Sequence, residues 1–439
     1  MDYPSRIKAM LESDIAEMAA HVGDYAVHPG RDFTRKRKLG FSDLIGLLVS
    51  MGTGSLSHEL MGYFDYDPKR KPSKSAFCQQ RSKLSDGALR HLLRTFSSRF
   101  ELGAYRGGYS LVACDGSSFC FGPDPSDLRT FHENRADTRG HNLMHAVALC
   151  DMMTGIYVDT VVQNGREKDE FAGMCQMVDA WDRAGKSIFV ADRGFASYNV
   201  FAHIAEASLF FVIRAKDINV KRMLRSGELP DELDKEVRLV LSHSQAKSKR
   251  SQPQRADDYR LVSRDINFDY LSKDSPEYEM ALRVVRFPVG KGFENVVTNL
   301  PADKFDPSEI KEIYRLRWGI ETSFRKLKLN VGATELHSKR GLWVAQEIFA
   351  RMILYDFCTA IALYVAELPE IACKRGSKHA HKVNFADAAR ACCAFLRGRA
   401  RGPDVEELVA GSTSPVRSGR SFHRRHRLRS PSGQIYRPA

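Results

Sequence analysis

Nine cysteines occur in 439 residues, an odd number, and no two of them stand as a CxxC pair. That excludes a disulfide frame and a cysteine-based zinc site as organising devices. Cys114, Cys120 and Cys150 lie in strand-like apolar surroundings, and Cys392 and Cys393 in an Ala-rich helical run. There a thiol packs as a small hydrophobe in a reducing compartment. No internal repeat is present, and no signal peptide opens the chain. The most apolar long stretch, Met352–Ala366, is short for a membrane span, contains Asp356 and closely follows Arg351, so it reads as a buried helix.

Positive charge, by contrast, is abundant. Lys and Arg number 67 against 54 Asp and Glu, a formal charge of +13. A surplus of this size favours a polyanionic partner, of which nucleic acid is the commonest. Hydrophobic content of 43% and charged content of 28% describe an ordinary folded protein with room for two to four domains.

The first 107 residues read as helical. The basic run Arg35–Lys38 precedes an apolar helix, Phe41–Val49, with Ser42 as its cap. Lys71–Leu84 and Ser85–Phe100 read as two short cationic helices around a tight turn. That pattern fits a small DNA-reading module, and fits equally an amphipathic bundle with a charged outer face. From Gly108 the texture turns to strands. Gly108–Phe119 is an apolar run ending in Asp115, and His141–Gly165 reads as two strands around a turn at Asp151–Gly155. A helix follows over Glu167–Ala184, then a strand ending in Asp192, a helix from Tyr198 and a strand at Leu209–Lys216. Hairpin strands followed by alternating helix and strand predict a mixed α/β sheet. Residues 217–293 interrupt this rhythm as a β-rich insertion that holds the basic loop Lys247–Arg255, before a strand at Val296–Pro301. A long helix runs from about Trp343 to Val365, within a C-terminal helical region at 348–410. Gly411–Ala439 has seven arginines and no acid, the composition of a segment that orders only on an anion.

The chemistry concentrates in YRLRWGIETSFRKLK, Tyr314–Lys328. On one continuous helix Tyr314, Arg317, Glu321 and Lys328 point within roughly 60° of one another, beside an apolar stripe of Ile313, Leu316, Ile320 and Leu327. A carboxylate among cations suits a divalent metal next to phosphate; the same residues also suit a solvated helix with paired charges. Asp115 in VACDGSSF and Asp192 in FVADRGF stand where apolar strands end, each followed closely by a glycine, Gly116 and Gly194, that permits a tight turn. Strand-end aspartates are commonly turn residues. With Glu321, however, they make an oxygen-rich site able to hold two Mg²⁺ roughly 3.5–4 Å apart for phosphodiester chemistry. His141 and His145 read as packing residues on a strand and are left out of the site.

The spacing Y-x2-R-x3-E-x6-K at Tyr314, Arg317, Glu321 and Lys328, with DRGF upstream, resembles the signature of the bacterial insertion-sequence-four transposases, over about Gly108–Glu347. That resemblance implies an α/β fold with a ribonuclease H-like core at 108–216 and 294–347, interrupted by the 217–293 insertion. It implies Asp115, Asp192 and Glu321 as catalytic and Mg²⁺-binding residues, with Mn²⁺ as a substitute. Tyr314, Arg317 and Lys328, with Arg193, would grip phosphates of double-stranded DNA. In relatives an aromatic residue of the insertion stacks on a flipped base. Here no Trp lies between Asp192 and Arg317, and Phe293 stands near the expected place. The implied activity is cleavage at terminal inverted repeats and joining of 3′-hydroxyls to target DNA, by a homodimer in a bacterial cytoplasm at the nucleoid. A DNA-binding regulator without catalysis and a structure-selective nuclease of the same fold are the alternatives.

Overall fold

The computed structural model describes residues 1–134, 137–244, 255–368 and 381–415. Nearly all of the basic loop Lys247–Arg255, and the arginine-rich tail beyond residue 415, lie outside the described residues.

Five helices come first: α1 (Tyr3–Ala20), α2 (Phe41–Ser50), α3 (Leu56–Tyr63), α4 (Lys74–Arg81) and α5 (Ala88–Ser98). Ser42 does not cap α2. The helix starts after Gly40, whose N–H is accepted by Asp43 at 3.3 Å. Ser73 caps α4, accepting the Ala76 N–H at 3.1 Å.

The chain then enters a mixed sheet. Its strands are β1 (Ala104–Tyr105), β2 (Tyr109–Phe121), β3 (Phe131–Asn134), β4 (Asp137–Asp151), β5 (Tyr157–Asn164), β6 (Lys186–Ala191) and β7 (Phe210–Ala215), with α6 (Glu170–Asp179) and α7 (Tyr198–Glu206) between the later ones. After β7 come α8 (Asp217–Leu224), β8 (Leu233–Ser242), β9 (Tyr259–Leu261), β10 (Glu277–Val289) and β11 (Gly292–Thr298). The strand order is β3-β4-β2-β6-β7-β11-β10-β8-β9, with β5 also on β4 and β1 on β2. Strands β2, β6 and β7 are parallel and the hairpin β4–β5 is antiparallel. The strands of 217–293 therefore extend the same sheet instead of forming one of their own. Leu111–Cys114 and Ser187–Ala191 are buried on both faces, which is why they read as unbroken apolar runs.

One face of the sheet is covered by α6 and α7, whose Met174, Met177, Val200 and Phe201 pack on Val112, Cys114 and Phe189. The other face carries α9 (Pro307–Leu316), α10 (Trp318–Leu329) and α11 (Gly341–Glu367). The single helix expected over Tyr314–Lys328 is two. The Arg317 N–H bonds to the Tyr314 carbonyl at 3.2 Å, a tighter turn than an α-helix makes, while Arg317 keeps right-handed helical angles. The bend lets one apolar stripe serve two cores. Ile313 packs with Val190 and Val212, whereas Ile320 and Leu327 pack with α11. Two further helices, α12 (Phe385–Leu396) and α13 (Gly402–Gly411), and a small hairpin, β12 (His381–Val383) with β13 (Thr413–Pro415), complete the described chain.

Helix α11 is long and apolar enough to cross a membrane, but 89% of its most apolar window is buried inside the protein. It is the axis on which α1, α2 and α5 pack. Its charged residues Glu347, Arg351 and Asp356 are buried too. Arg81 of α4 donates to Glu347 at 2.8 Å and to Gln346 at 2.7 Å. Burial alone would raise the Glu347 carboxyl, but the Arg81 charge and the hydrogen bonds of His337 bring it down to about 2. Glu347→Gln leaves a buried guanidinium without its anion and is expected to cost about 3–5 kcal/mol. Because the folded carboxyl titrates below its ordinary 4.5, its contribution is full above that pH and is lost as pH falls toward 2. Thermal melts should therefore show the gap between wild type and Glu347→Gln closing over that window.

Candidate active site

Parallel pairing of β2 with β6 runs from Tyr109–Lys186 to Cys114–Ala191 and then stops. The next residue on each strand is an aspartate, Asp115 and Asp192, so the two acids emerge side by side at the carboxyl ends of the paired segments. Asp115 is not at the end of its strand, as the sequence suggested. β2 continues to Phe121, paired with β4 from Val112 onward. Asp192 does end its strand and leads into a short helical turn at Arg193–Phe195.

The two glycines differ accordingly. Gly116 makes no turn. A side chain there would put its Cβ 2.3 Å from Glu170 Oε1 and 2.7 Å from His145 Nε2, so its role is close packing against α6. Gly194 has only ordinary room, its nearest atom at 3.7 Å. His145 is buried on this far face, 2.9 Å from Glu170 and with Ser118 at 3.1 Å from Nδ1. That position matches its reading as a packing residue.

On the near face α9 and α10 bring their polar residues to both aspartates. Tyr314 donates its hydroxyl to Asp192 Oδ1 at 3.2 Å. Arg317 donates to Glu321 Oε1 at 2.9 Å and approaches Asp115 Oδ2 at 3.8 Å. Lys328 donates to Ser117 Oγ at 2.7 Å and to the Ser118 carbonyl at 2.8 Å, two and three residues beyond Asp115. Asp115, Asp192, Glu321, Tyr314 and Arg317 thus form one contact network, reached from three separate parts of the chain, and Lys328 joins it through the strand just beyond Asp115. Arg193 is exposed beside it. Phe293, 38% exposed with the Arg286 guanidinium 4.7 Å from its ring centre, reaches the network only through its neighbour Glu294.

That link is Arg214, a residue the sequence reading missed. It spans from Glu294 at 3.2 Å to Asp192 at 3.7 Å. Its signal was the one cation in the apolar strand FFVIRA. Trp318 was also passed over. It follows Arg317, is 54% exposed, and has the Arg317 guanidinium 5.2 Å from its ring centre.

Electrostatically this is a centre of negative charge held by internal cations. Burial pushes the Asp115 carboxyl up to about 6, with Glu321 and Asp192 adding to the rise and Gly116 and Arg317 opposing it. Burial also raises the Tyr314 hydroxyl, to about 12, helped by Asp192. For Arg317 burial disfavours the charge, yet the hydrogen bond to Glu321 and the nearby anions hold its pKa above the ordinary value. Three carboxylates at one sheet edge are the donor set that a hard divalent cation prefers. Among the described residues, however, no three metal-ligating side chains are close enough together to hold an ion. A guanidinium stands between Asp115 and Glu321 instead.

The sequence profile described as the transposase DDE domain matches residues 106–357, more than half of the chain. The chain belongs to this transposase family. The matched range opens just before β2 and closes inside α11, so it contains the whole contact network. A search among curated proteins gives no match. Among solved structures the transposase resembles a piggyBac transposase in a synaptic complex with hairpin DNA, seen by cryo-electron microscopy. The two share 12% identity over 93% of this chain and 85% of the other, with a TM-score of 0.41, a likeness too slight to carry an argument.

A raised acid has a consequence for stability. The native transposase is favoured while Asp115 is protonated, and that gain fades as pH rises from 3.8 through 6. In EDTA, Asp115→Asn should therefore stabilise the protein above pH 6, by up to about 3 kcal/mol for a shift of this size, and should have no effect below pH 4. Melting curves at pH 4 and pH 8 check it. Identical melting at pH 8 would show that Asp115 carries no penalty.

Proposed function

We propose that this DDE transposase is of the bacterial insertion-sequence-four type, with a ribonuclease H-like core. It would bind terminal inverted repeats, cleave the element ends and join the freed 3′-hydroxyls to target DNA. The observation that carries the reading is the convergence of Asp115, Asp192 and Glu321 with Tyr314 and Arg317 where the β2–β6 pairing stops, with Lys328 bonded to the strand just beyond Asp115. Asp115, Asp192 and Glu321 would hold Mg²⁺, or Mn²⁺ in its place, once drawn together from the separation they show here. Such ions, when bound, acidify an attacking water or 3′-hydroxyl and neutralise the leaving oxygen. The chain's own contribution is orientation. Tyr314 fixes Asp192, Lys328 fixes the strand just beyond Asp115, and the packed sheet beneath keeps both aspartates in register.

The N-terminal helices supply the surface proposed for duplex DNA. A groove of about 490 Å³ is lined by Arg31, Arg35, Arg37 and Lys83, and an adjoining one of about 360 Å³ adds Lys38 and Lys71 on the other side of Gln79 and Gln80. Arg35, Arg37, Lys38 and Lys71 have no ion-pair partner among the described residues. The arginines of α5 are engaged differently. Arg90 pairs with Asp159 at 2.8 Å, and Arg94 with Asp182 at 3.0 Å. The loop before α2 and helix α4, more than α5, therefore suit a phosphate backbone. Working on two element ends at once implies a homodimer in the synaptic complex.

Incubation with end-containing DNA, plasmid target and Mg²⁺ should give joined products. Nicks without joining would identify a nuclease, and binding without either a regulator. Glu321→Gln should keep end binding and lose cleavage by a factor of at least about 10² in rate. A variant cutting at the normal rate removes Glu321 from the chemistry. The double variant Arg35→Ala, Lys38→Ala should flatten the dependence of log affinity on log salt by about 1.8, if each residue neutralises one duplex phosphate. An unchanged slope in filter-binding assays would move the DNA elsewhere.

A further inference from the structure

We propose that Arg317 is the resident counter-ion of the acidic centre, a side chain that a divalent cation must displace before the carboxylates can act together. The inference rests on the reading of Asp115, Asp192 and Glu321 as the metal-holding set, and it changes the role of Arg317 from a standing phosphate clamp to an exchangeable one. The guanidinium is only 5% exposed. It sits between two acids that belong to different elements, tight to Glu321 at 2.9 Å and looser to Asp115 at 3.8 Å. Its Nε is buried with no hydrogen-bond partner, so the fit is incomplete on one side. A cation evolved only to tie two acids together would not leave a buried donor unused.

The oxygens it engages are the ones a metal would take. A guanidinium and a metal ion compete for Glu321 Oε1 and Asp115 Oδ2, so each weakens the hold of the other on these acids. The side chain has aromatic rings along its path away from the acids. Its guanidinium lies between the rings of Tyr314 at 5.7 Å and Trp318 at 5.2 Å, and Trp318 is half exposed. Aromatic faces hold guanidinium groups well. Gly319, next along α10, has nothing within 4 Å of where a Cβ would stand, so the space beside this path is open. A side chain leaving the acids along the Trp318 face would arrive at the surface as a free cation next to the site. Metal entry would thus both assemble the carboxylates and release a phosphate ligand.

The test is Mn²⁺ binding to the full-length protein without DNA, by calorimetry, for wild type, Arg317→Gln, Arg317→Lys and Glu321→Gln. Removing a competitor equivalent to one charge-assisted hydrogen bond should tighten Mn²⁺ binding of Arg317→Gln by about tenfold or more. Arg317→Lys should fall between it and wild type, and Glu321→Gln should bind more weakly than wild type. Equal or weaker Mn²⁺ binding by Arg317→Gln, with wild type binding normally, overturns the exchange and leaves the metal reading intact. Absence of Mn²⁺ binding in every variant removes the metal reading and the exchange with it. Should Arg317→Gln fail to fold, the wild-type protein still answers. A Mg²⁺ titration should change tryptophan emission as the guanidinium shifts from the acids along the Trp318 ring, and Trp318→Phe should abolish the change. Calorimetric Mg²⁺ binding with no such change overturns the proposal.

Discussion

The register of β2 against β6 is the constraint on which the site depends. Two parallel strands leave their last paired residues, Cys114 and Ala191, at the same level, and the acids that follow inherit that alignment. Alternation does the rest. Cys114 and Ala191 face the α6–α7 core, so Asp115 and Asp192 face α9 and α10. A slip of one residue in β2 would turn Asp115 into the packed layer of Met174 and Phe189, where an ionised carboxylate has no partner. That buried charge makes the slip costly, and the apolar runs of both strands, buried on both faces, hold the ladder inside the sheet.

Positive charge is used in two distinct ways, and burial separates them. Arg317, Arg214 and Lys328 are committed to the acidic end of the sheet, and Arg81 and Arg351 to the interior around α11. Arg35, Arg37 and Lys38 in the N-terminal grooves are exposed and have no ion-pair partner among the described residues. A carboxylate cluster beside a polyanion is electrostatically awkward unless cations stand near it, and here the chain supplies its own. The net charge of +13 understates the separation, because acids such as Asp159 and Asp14 pair with arginines away from the grooves.

Much of this was readable from residue types and spacing. Tyr314, Arg317, Glu321 and Lys328 were placed on one side by helical periodicity, and they remain on one side even though the helix bends at Arg317, because Arg317 keeps helical angles through the break. What failed was everything set by partners distant in sequence. Asp115 followed by Gly116 reads as a strand end. Only the ladder to β4, which pairs Gly116 with Val147 and continues to Phe121, shows the strand going on. Gly116 reads as a turn residue, yet the demand on it comes from Glu170 and His145 on the far face. Arg214 was hidden by the apolar run around it. The arginines of α5 looked like a DNA-reading face because Asp159 and Asp182, their partners, lie 60 and more residues away.

The groove-bearing helices raise a different question, why they dock on α11 through buried charge at all. Apolar helix contacts, such as Leu92 and Leu93 of α5 near Ile348 and Met352, tolerate displacement by a turn, because one leucine pocket resembles the next. Charged partners do not. Arg81 must meet Glu347, Arg351 must meet the Met51 and Gly52 carbonyls, and Arg397 must meet Glu59 and the Ser50 carbonyl, or each is left buried and unpaired. Glu59 in turn accepts the Gly52 and Gly54 N–H groups at 2.8 and 2.9 Å, so the loop between α2 and α3 is fixed by the same network. The cost of burying these ions is offset only in one arrangement. That arrangement fixes the helices lining the cationic grooves to α11, and α11 shares its apolar core with α10, the helix that carries Glu321. Buried ion pairs contribute little to stability on balance, but here they set where a polyanion held in the grooves would lie relative to the acids where the β2–β6 pairing stops.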